Sequence, residues 1–443
     1  MQDNESGAAS FALAPVAEKS RIDNIDIMRG IAILGILFMN MPAMAQSLWQ
    51  FFGGDPRVHG WTSADQWTWI TTQIVLEGTQ RGMLEILFGA GLMLLAARAM
   101  KPDGPVAIAD LWIRRNMWLC FFGLINALVL LWFGDILLTY GLAALLLFPF
   151  RLLKARTLLI IGLLYPIFMS VGGVTEYVSR TQLIATATVA DAKVAAGTAL
   201  TKDEAEAQKK WNEKLAKVKE GPDKETKKLM AEEAKWRSGS VGTYFAGAAG
   251  VNFTFWGKGL LPLWVAEAFF TMLIGLALFK WGVVQGERTK RAYLLLMLAC
   301  YAAGFGMRAM WVSEILSFSP IPKTGWFTME FSRILVSVGH IAMVNWAVRT
   351  RAGAWLLSPF KAAGRMAFSL YLMQSFVTMW VLFAPFGFNL YGRFAWADQA
   401  LIVIAIAAAQ LVFANLWLRM YRMGPLEWVW RSLSHWKRQP MKR

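Results

Sequence analysis

Apolar residues run along this chain in long blocks separated by short polar connections. Ten blocks centre on residues 26–46, 76–98, 113–133, 136–150, 157–175, 254–280, 292–313, 330–349, 366–384 and 399–419. With its flanks each reaches about 20 residues, enough helix to cross a hydrocarbon core of about 30 Å. The pattern predicts an all-α fold, a polytopic transmembrane helical bundle of about ten spans. The fourth block is the shortest.

The connections alternate in charge. One set carries Arg98, Lys101, Arg114 and Arg115, then Arg151, Lys154 and Arg156, then Lys280, Arg288, Lys290 and Arg291. Arg349, Arg351, Lys361 and Arg365 continue it, and the alternate set holds little beyond Arg57, Lys323 and Arg393. Lys and Arg gather on the cytoplasmic side of membrane proteins. Both termini are therefore expected in the cytoplasm and the protein in a bacterial cytoplasmic (inner) membrane. No cleavable leader is expected, because residues 1–20 are polar and small and no small-x-small site follows the first block.

Residues 176–250 depart from this pattern. They are rich in Ala, Lys and Glu, nearly balanced in charge, and broken by Gly221-Pro222. The expectation is an extracytoplasmic helical hairpin, either a solvated spacer or a lid or arm for docking a protein partner. The chain then divides into an N-terminal transmembrane half (1–175, spans 1–5), the hairpin (176–250), a C-terminal half (251–422, spans 6–10) and a basic amphipathic tail (423–443). In the tail, Leu426, Trp428, Trp430, Leu433 and Trp436 stand among basic residues, a pattern suited to the inner leaflet.

Composition agrees. Of 443 residues 56% are hydrophobic and 17% charged, against about a quarter charged in soluble proteins. The 22 Trp and 29 Phe suit aromatic belts at the two membrane surfaces. A net charge of +16 in a soluble chain would suggest nucleic acid. Here the basic residues lie between apolar blocks, so they read as topology signals and contacts to anionic lipid, with no nucleic-acid partner. Cys120 and Cys300 lie in apolar blocks without a CxxC or zinc pattern, so neither a disulfide nor a metal site is expected.

Ionisable groups in membrane spans are costly and usually have a task. In RIDNIDIMRGIAILGILFMN, Asp26, Arg29, Ile33, Leu37 and Asn40 fall within one arc of a helix. Asp26 and Arg29 stand at one mouth and Asn40 lies about 21 Å along the axis. A snorkelling Arg29 paired with Asp26 explains the first two equally well. In TQRGMLEILFGAGLMLL, Arg81 and Glu85 are spaced to pair along one face, and Gly89 and Gly91 suit close packing. Asp135, in the turn after Asn126, either caps the next helix or orients a base. Glu267 with Lys258, Arg308 with Glu314, and Glu330, Arg333 and His340 follow; His340 reads best as a satisfied structural residue. Arg365, Ser369, Tyr371 and Gln374 form a polar approach from the inner side, in which Arg365 is alternatively a topology anchor and Gln374 an interhelical hydrogen bond. His59, in GGDPRVHGWTSADQW of the first outer connection, is a surface residue or a general base that Asp65 orients.

Several stretches together resemble a known family. IDIMRGIAILGI (Ile25 to Ile36), LEILFGAG (Leu84 to Gly91), FGDILLTYGL (Phe133 to Leu142), AGRMAFSLYLMQS (Ala363 to Ser375) and MGPLEWVWR (Met423 to Arg431) resemble the YeiB-type family of polytopic bacterial membrane proteins. The likeness is specific over roughly the first 150 and last 90 residues. That family is similar in turn to the transmembrane acyltransferases, which include heparan-α-glucosaminide N-acetyltransferase and envelope O-acetyltransferases. The resemblance implies an acyl-CoA donor, such as acetyl-CoA, entering from the cytoplasm. It implies a catalytic place for Asn40, and for His59 ahead of Trp61 and Asp65. The O-acetyltransferase branch has histidine where Asn40 stands, and YeiB-type chains often have histidine where this one has Asn126.

Two functional readings follow. As an acyltransferase, the chain would use Arg29 and Arg365 toward the donor, and His59, or Asp135 with Asn40, to activate a hydroxyl or amine acceptor on an envelope glycan, lipid or small metabolite. As a transporter, it would line a path with Asp26, Arg29, Arg81, Glu85, Asp135, Arg308 and Glu314. No convincing internal repeat supports the second reading. An oligomer is compatible with either.

Overall fold

A computed structural model describes residues 22–53, 55–96, 104–221 and 223–443. Helices α1 (Asp23–Gly35) and α2 (Leu37–Ala45) form the first span, and α3 (Leu48–Gly53), α4 (Ser63–Thr71), α5 (Thr79–Ala96), α6 (Gly104–Leu128) and α7 (Ile136–Leu147) follow. Then come α8 (Ala155–Gly162), α9 (Leu164–Ala195), α10 (Lys202–Glu220), α11 (Lys224–Arg237), α12 (Val241–Gly257) and α13 (Leu260–Lys280). The chain continues through α14 (Lys290–Ile315), α15 (Gly325–Ala347), α16 (Arg351–Leu357), α17 (Phe360–Arg365), α18 (Ala367–Phe376), α19 (Trp396–Met420) and α20 (Pro425–Ser434). Among the described residues no strand forms.

All ten apolar blocks are helical. Six helices among the described residues are long and apolar enough to cross a membrane: Asp23–Ala45, Ala155–Ala195, Leu260–Lys280, Lys290–Ile315, Gly325–Ala347 and Trp396–Met420. Ile136–Leu152 and Ala367–Leu382 are shorter apolar helices. The remaining two blocks are α5, diluted by Arg81 and Glu85, and α6, which carries Arg114 and Arg115 near its middle. This is an all-α polytopic membrane bundle.

The first span is its axis. α1 packs against α5, α15, α17 and α18, and Met28, Ala32 and Leu37 are buried. Its arginine-glycine pair explains one contact. A Cβ on Gly30 would overlap the Phe360 carbonyl, and one on Gly364 would overlap the Asp26 carbonyl, so α1 and α17 touch backbone to backbone. A second such joint lies between α5 and α13, where Gly89 meets the Met272 backbone and Gly275 meets the Ile86 backbone. Gly91, expected to pack closely, has open space instead.

The inserted segment is more integrated than a separate hairpin. α9 runs unbroken through residue 176 and α12 through residue 250, so both expected boundaries fall inside helices. α10 folds back along α9, while α11 lies against α3 and α12. Thr201 caps α10 and Asp223 caps α11 through their side-chain oxygens. Pro222 lies outside the described residues, as do Arg98 and Lys101 of the first basic connection and residues 1–21.

The tail also docks. The buried Glu427 carboxylate of α20 accepts the Phe368 N–H at 2.8 Å, the Ser369 N–H at 3.1 Å and the Ser369 hydroxyl at 2.5 Å, which fastens α20 to the first turn of α18. Trp430 donates its indole N–H to the Arg115 carbonyl of α6 at 2.8 Å.

Candidate functional site

The polar residues fall into three groups. The first lies at the basic end of α1. Arg29 pairs with Asp26 one turn below it at 3.2 Å, as the snorkelling alternative anticipates. Arg115 stacks its guanidinium over the Trp430 ring, 4.4 Å from the centroid. Arg29 and Arg431 are close enough to act on its charge. Arg114 pairs with Asp110 at 2.6 Å. Burial, with Arg115, Arg431 and Arg114 nearby, holds His435 below the ordinary imidazole value. Arg365 donates to the Arg422 carbonyl at 2.8 Å and steadies the connection before α20. Arg115 and Arg431 were not singled out from sequence, because a basic residue beside a span reads first as a topology signal. Their signal is position: Arg115 already lies within the apolar block, and Arg431 follows two tryptophans.

The second group runs from the turn before α7 to the place where the insertion joins the bundle. Asp135 caps α7, its Oδ2 accepting the Leu138 N–H at 2.7 Å. Its Oδ1 accepts from Asn126 Nδ2 at 2.7 Å. The Tyr371 hydroxyl completes the cluster beside the carboxylate, accepting the Ile136 N–H at 3.1 Å. Trp132 adjoins Tyr371 and lines a narrow cleft with Phe133, Leu48, Met379, Trp236 and Arg237. That cleft has room for about one water. Over it sits the first turn of α3, whose Leu48 N–H and Ser47 hydroxyl donate to the Glu233 carboxylate of α11 at 3.0 and 2.9 Å. Arg237 pairs with Glu233 at 3.2 Å, and both side chains are almost wholly buried.

Asn40 stands half-buried on α2. His59 closes a short turn, Pro56–His59, but its side chain lies outside the described residues. Asp65 is engaged elsewhere. One carboxylate oxygen accepts the Thr62 N–H at 2.9 Å and the Thr62 hydroxyl at 2.7 Å, and the other accepts the Ala397 N–H at 3.0 Å. It caps α4 and pins α19.

The third group is ionic and buried between α5, α13 and α15. Arg81 and Glu85 do not pair with one another along α5, as their spacing suggested. Arg81 reaches Glu267 at 2.8 Å, and Glu85 is held by Arg333 at 2.8 Å. Both side chains point off their helix toward partners fixed by packing, which a spacing argument on one helix leaves out. Glu267 is likewise held by Arg81 and Arg333, while Lys258 lies over the Trp49 ring. Nor do Arg308 and Glu314 pair. Arg308 donates to the Ile74 carbonyl at 3.0 Å, to the Glu77 carbonyl at 2.5 Å and to Ser332 at 3.3 Å. Glu314 accepts from Thr324 N–H at 2.6 Å and its hydroxyl at 2.9 Å, at the start of α15. Gln374 is an interhelical brace, donating to the Ile33 carbonyl at 3.0 Å and to Gln410 at 2.9 Å. His340 is satisfied between the Tyr301 hydroxyl at 2.7 Å and the Val75 carbonyl at 3.3 Å.

Residues 278–437 match the family described as a protein of unknown function, DUF418. The chain is 30% identical to the uncharacterized protein YxaH of Bacillus subtilis, over 97% of this chain and 98% of that protein. It is 27% identical to the uncharacterized protein YeiB of Escherichia coli, over 93% and 95% of the two chains. It is also 26% identical to an uncharacterized 39.9 kDa protein in the amylase 3′ region of Bacillus acidopullulyticus, over 96% and 97%. No solved structure matches. With a relative this similar across nearly its whole length, and with the apolar helices described above, the chain belongs to the DUF418, YeiB-type family of membrane proteins.

Proposed function

We propose that this protein is an integral-membrane acyltransferase, taking an acyl group from acyl-CoA on the cytoplasmic side of a bacterial inner membrane. The acceptor is a hydroxyl or amine presented at the opposite face by an envelope glycan, a lipid or a small metabolite. The observation that carries this reading is the convergence of Arg29, Arg115 and Arg431 at the basic end of the first span. Guanidinium groups suit the phosphates of a coenzyme A donor in charge and in their fixed fork of donors. Asp26 pairs with Arg29 at 3.2 Å, and Asp110 pairs with the neighbouring Arg114 at 2.6 Å. Further along the bundle, Asp135 with Asn126 and Tyr371 supplies an oriented carboxylate that can receive the acceptor's proton, directly or with His59. Asn40 is suited to donate to the oxyanion that forms when the acyl carbonyl is attacked. The cleft beside Trp132 is narrow, so acceptor entry follows undocking of α11.

The test uses purified protein in nanodiscs with radiolabelled acetyl-CoA. The reading expects CoA to raise the thermal midpoint, and Arg29→Ala and Arg115→Ala to weaken that protection at least tenfold in CoA concentration. Absence of CoA protection, hydrolysis and acyl transfer would overturn it. A second reading, a transporter of a small polar or lipidic substrate, is favoured by the buried ionic group around Arg333. Uptake or efflux in vesicles without any acylated product would support it.

A further inference from the structure

The acyl-transfer reading leaves the ionic group between α5, α13 and α15 without a task. Its centre is Arg333, 3% exposed. Nη1 meets Glu85 at 2.8 Å, Nε meets Glu267 at 3.2 Å, and Nη2 meets Glu330 at 2.9 Å. Nη2 also donates to Thr271 at 3.0 Å. Arg81 adds the second cation, 2.8 Å from Glu267. Three carboxylates thus surround two guanidiniums.

The surroundings do not restore the balance. Arg308 of α14 and Glu77, which precedes α5, adjoin the group; with them included the count is four carboxylates to three guanidiniums, the same excess. Tyr140 of α7 gives its hydroxyl hydrogen bond to the Arg81 carbonyl at 3.0 Å, and Tyr165 of α9 approaches Glu267 from another side. Neither tyrosine is a cation. His340, deeper along α15, is occupied by Tyr301 and Val75. Counted with every side chain ionised, the group carries one excess negative charge in the apolar interior, where an uncompensated charge is strongly disfavoured. A metal ion does not fit. Arg333 already stands where the carboxylates converge, and among the described residues no acidic, His or Cys cluster is arranged to hold one.

We propose that the Arg333 cluster is a membrane-embedded proton-binding site, in which Glu85, Glu267 and Glu330 share one exchangeable proton. Hydronium from bulk water supplies the proton, which forms an O–H bond on one carboxylate oxygen and leaves neutral water behind; release reverses the step. The route is visible at two members. The Arg81 side chain is 34% exposed and that of Glu330 15%, while Glu85 and Glu267 are 2% and 5% exposed. On this proposal the proton enters past Arg81 and Glu330, the two members that reach the protein surface, and settles among the buried ones. Sharing among coupled carboxyls means that the titration belongs to the cluster and not to one residue.

Infrared difference spectroscopy of the full-length protein in nanodiscs, comparing pH 5 with pH 9 in water and in heavy water, tests the site. The expected result is a protonated-carboxyl stretch that shifts in heavy water and is lost in Glu267→Gln. That variant has matched numbers of carboxylates and guanidiniums, and its thermal midpoint should depend less on pH than that of the wild type. Glu330→Gln, nearer the surface, gives the same reading should Glu267→Gln fail to fold. A spectrum without the band, or a band that persists unchanged in Glu85→Gln, Glu267→Gln and Glu330→Gln alike, would overturn the proposal. None of these outcomes depends on acyl transfer.

Discussion

Asn126 and Asp135 lie nine positions apart and meet through a 2.7 Å hydrogen bond across the turn that joins α6 to α7. The same carboxylate caps α7. Structure and chemistry are therefore superposed on one residue, and substitution can separate them. Asp135→Asn keeps a capping oxygen and should lower stability by under about 1 kcal/mol, whereas Asp135→Ala should cost about 1–2 kcal/mol. Both should abolish acyl transfer if the carboxylate receives the proton. Thermal unfolding in detergent and a transfer assay on the two variants give the answer; an active Asp135→Asn protein removes Asp135 as base.

The contact between Gly30 and Gly364 leaves no space for a methyl group on either helix. Gly30→Ala or Gly364→Ala should destabilise the bundle by about 3 kcal/mol. Gly91→Ala, with open space around it, should be neutral or slightly stabilising. Urea or heat denaturation of the three variants side by side is the measurement.

Asp65 gives a pH dependence. Burial works against its charge, but hydrogen bonds from Ala397 and Thr62 outweigh it and hold the carboxyl below the ordinary aspartate value of 3.8. A depressed value means that the stabilisation is complete above the unfolded value and is lost as pH falls through the folded one. The wild type should therefore lose thermal stability below about pH 4 more steeply than Asp65→Ala, with the two curves converging in acid. Parallel curves between pH 6 and pH 3 would count against this role.

Glu233 locks α11 over the cleft, and its loss strands Arg237 in the interior. Breaking such a buried pair costs about 3–5 kcal/mol when the whole fold must absorb it. Here α11 can lift instead. Glu233→Ala should therefore raise amide exchange and protease cleavage in residues 223–240 while the α1–α5 core stays protected. Uniform exchange across the chain would show global loosening instead.

How much of this was legible in the sequence depends on which physical signal each part uses. The helices follow from local periodicity, so every apolar block became one. The docking of α20 was foreshadowed by its Trp and Arg pattern, although Glu427, its anchor, carries no periodic signal. Partners across helices were not legible. Arg81 has Glu85 at ideal spacing and still turns to Glu267, because the packing of α13 brings that carboxylate within 2.8 Å while Glu85 is taken by Arg333. Asp135 was read as both cap and site residue; the cap is present, while its role in a reaction remains the proposal above. The arginines at the basic end were visible as letters, but their convergence needed α6 and α20 to meet.

α8 and α9 together form a rod of 41 residues, about 60 Å long, or twice the thickness of a hydrocarbon core. Its lower half grips α15, with Ser170 bonded to the Phe327 carbonyl at 2.6 Å and Gly173 against Trp326. Its upper half is the spine on which α10 lies. Those contacts with Phe327 and Trp326 lie about two turns of α15 from Arg333. The arm and the buried charges thus share one helix, α15.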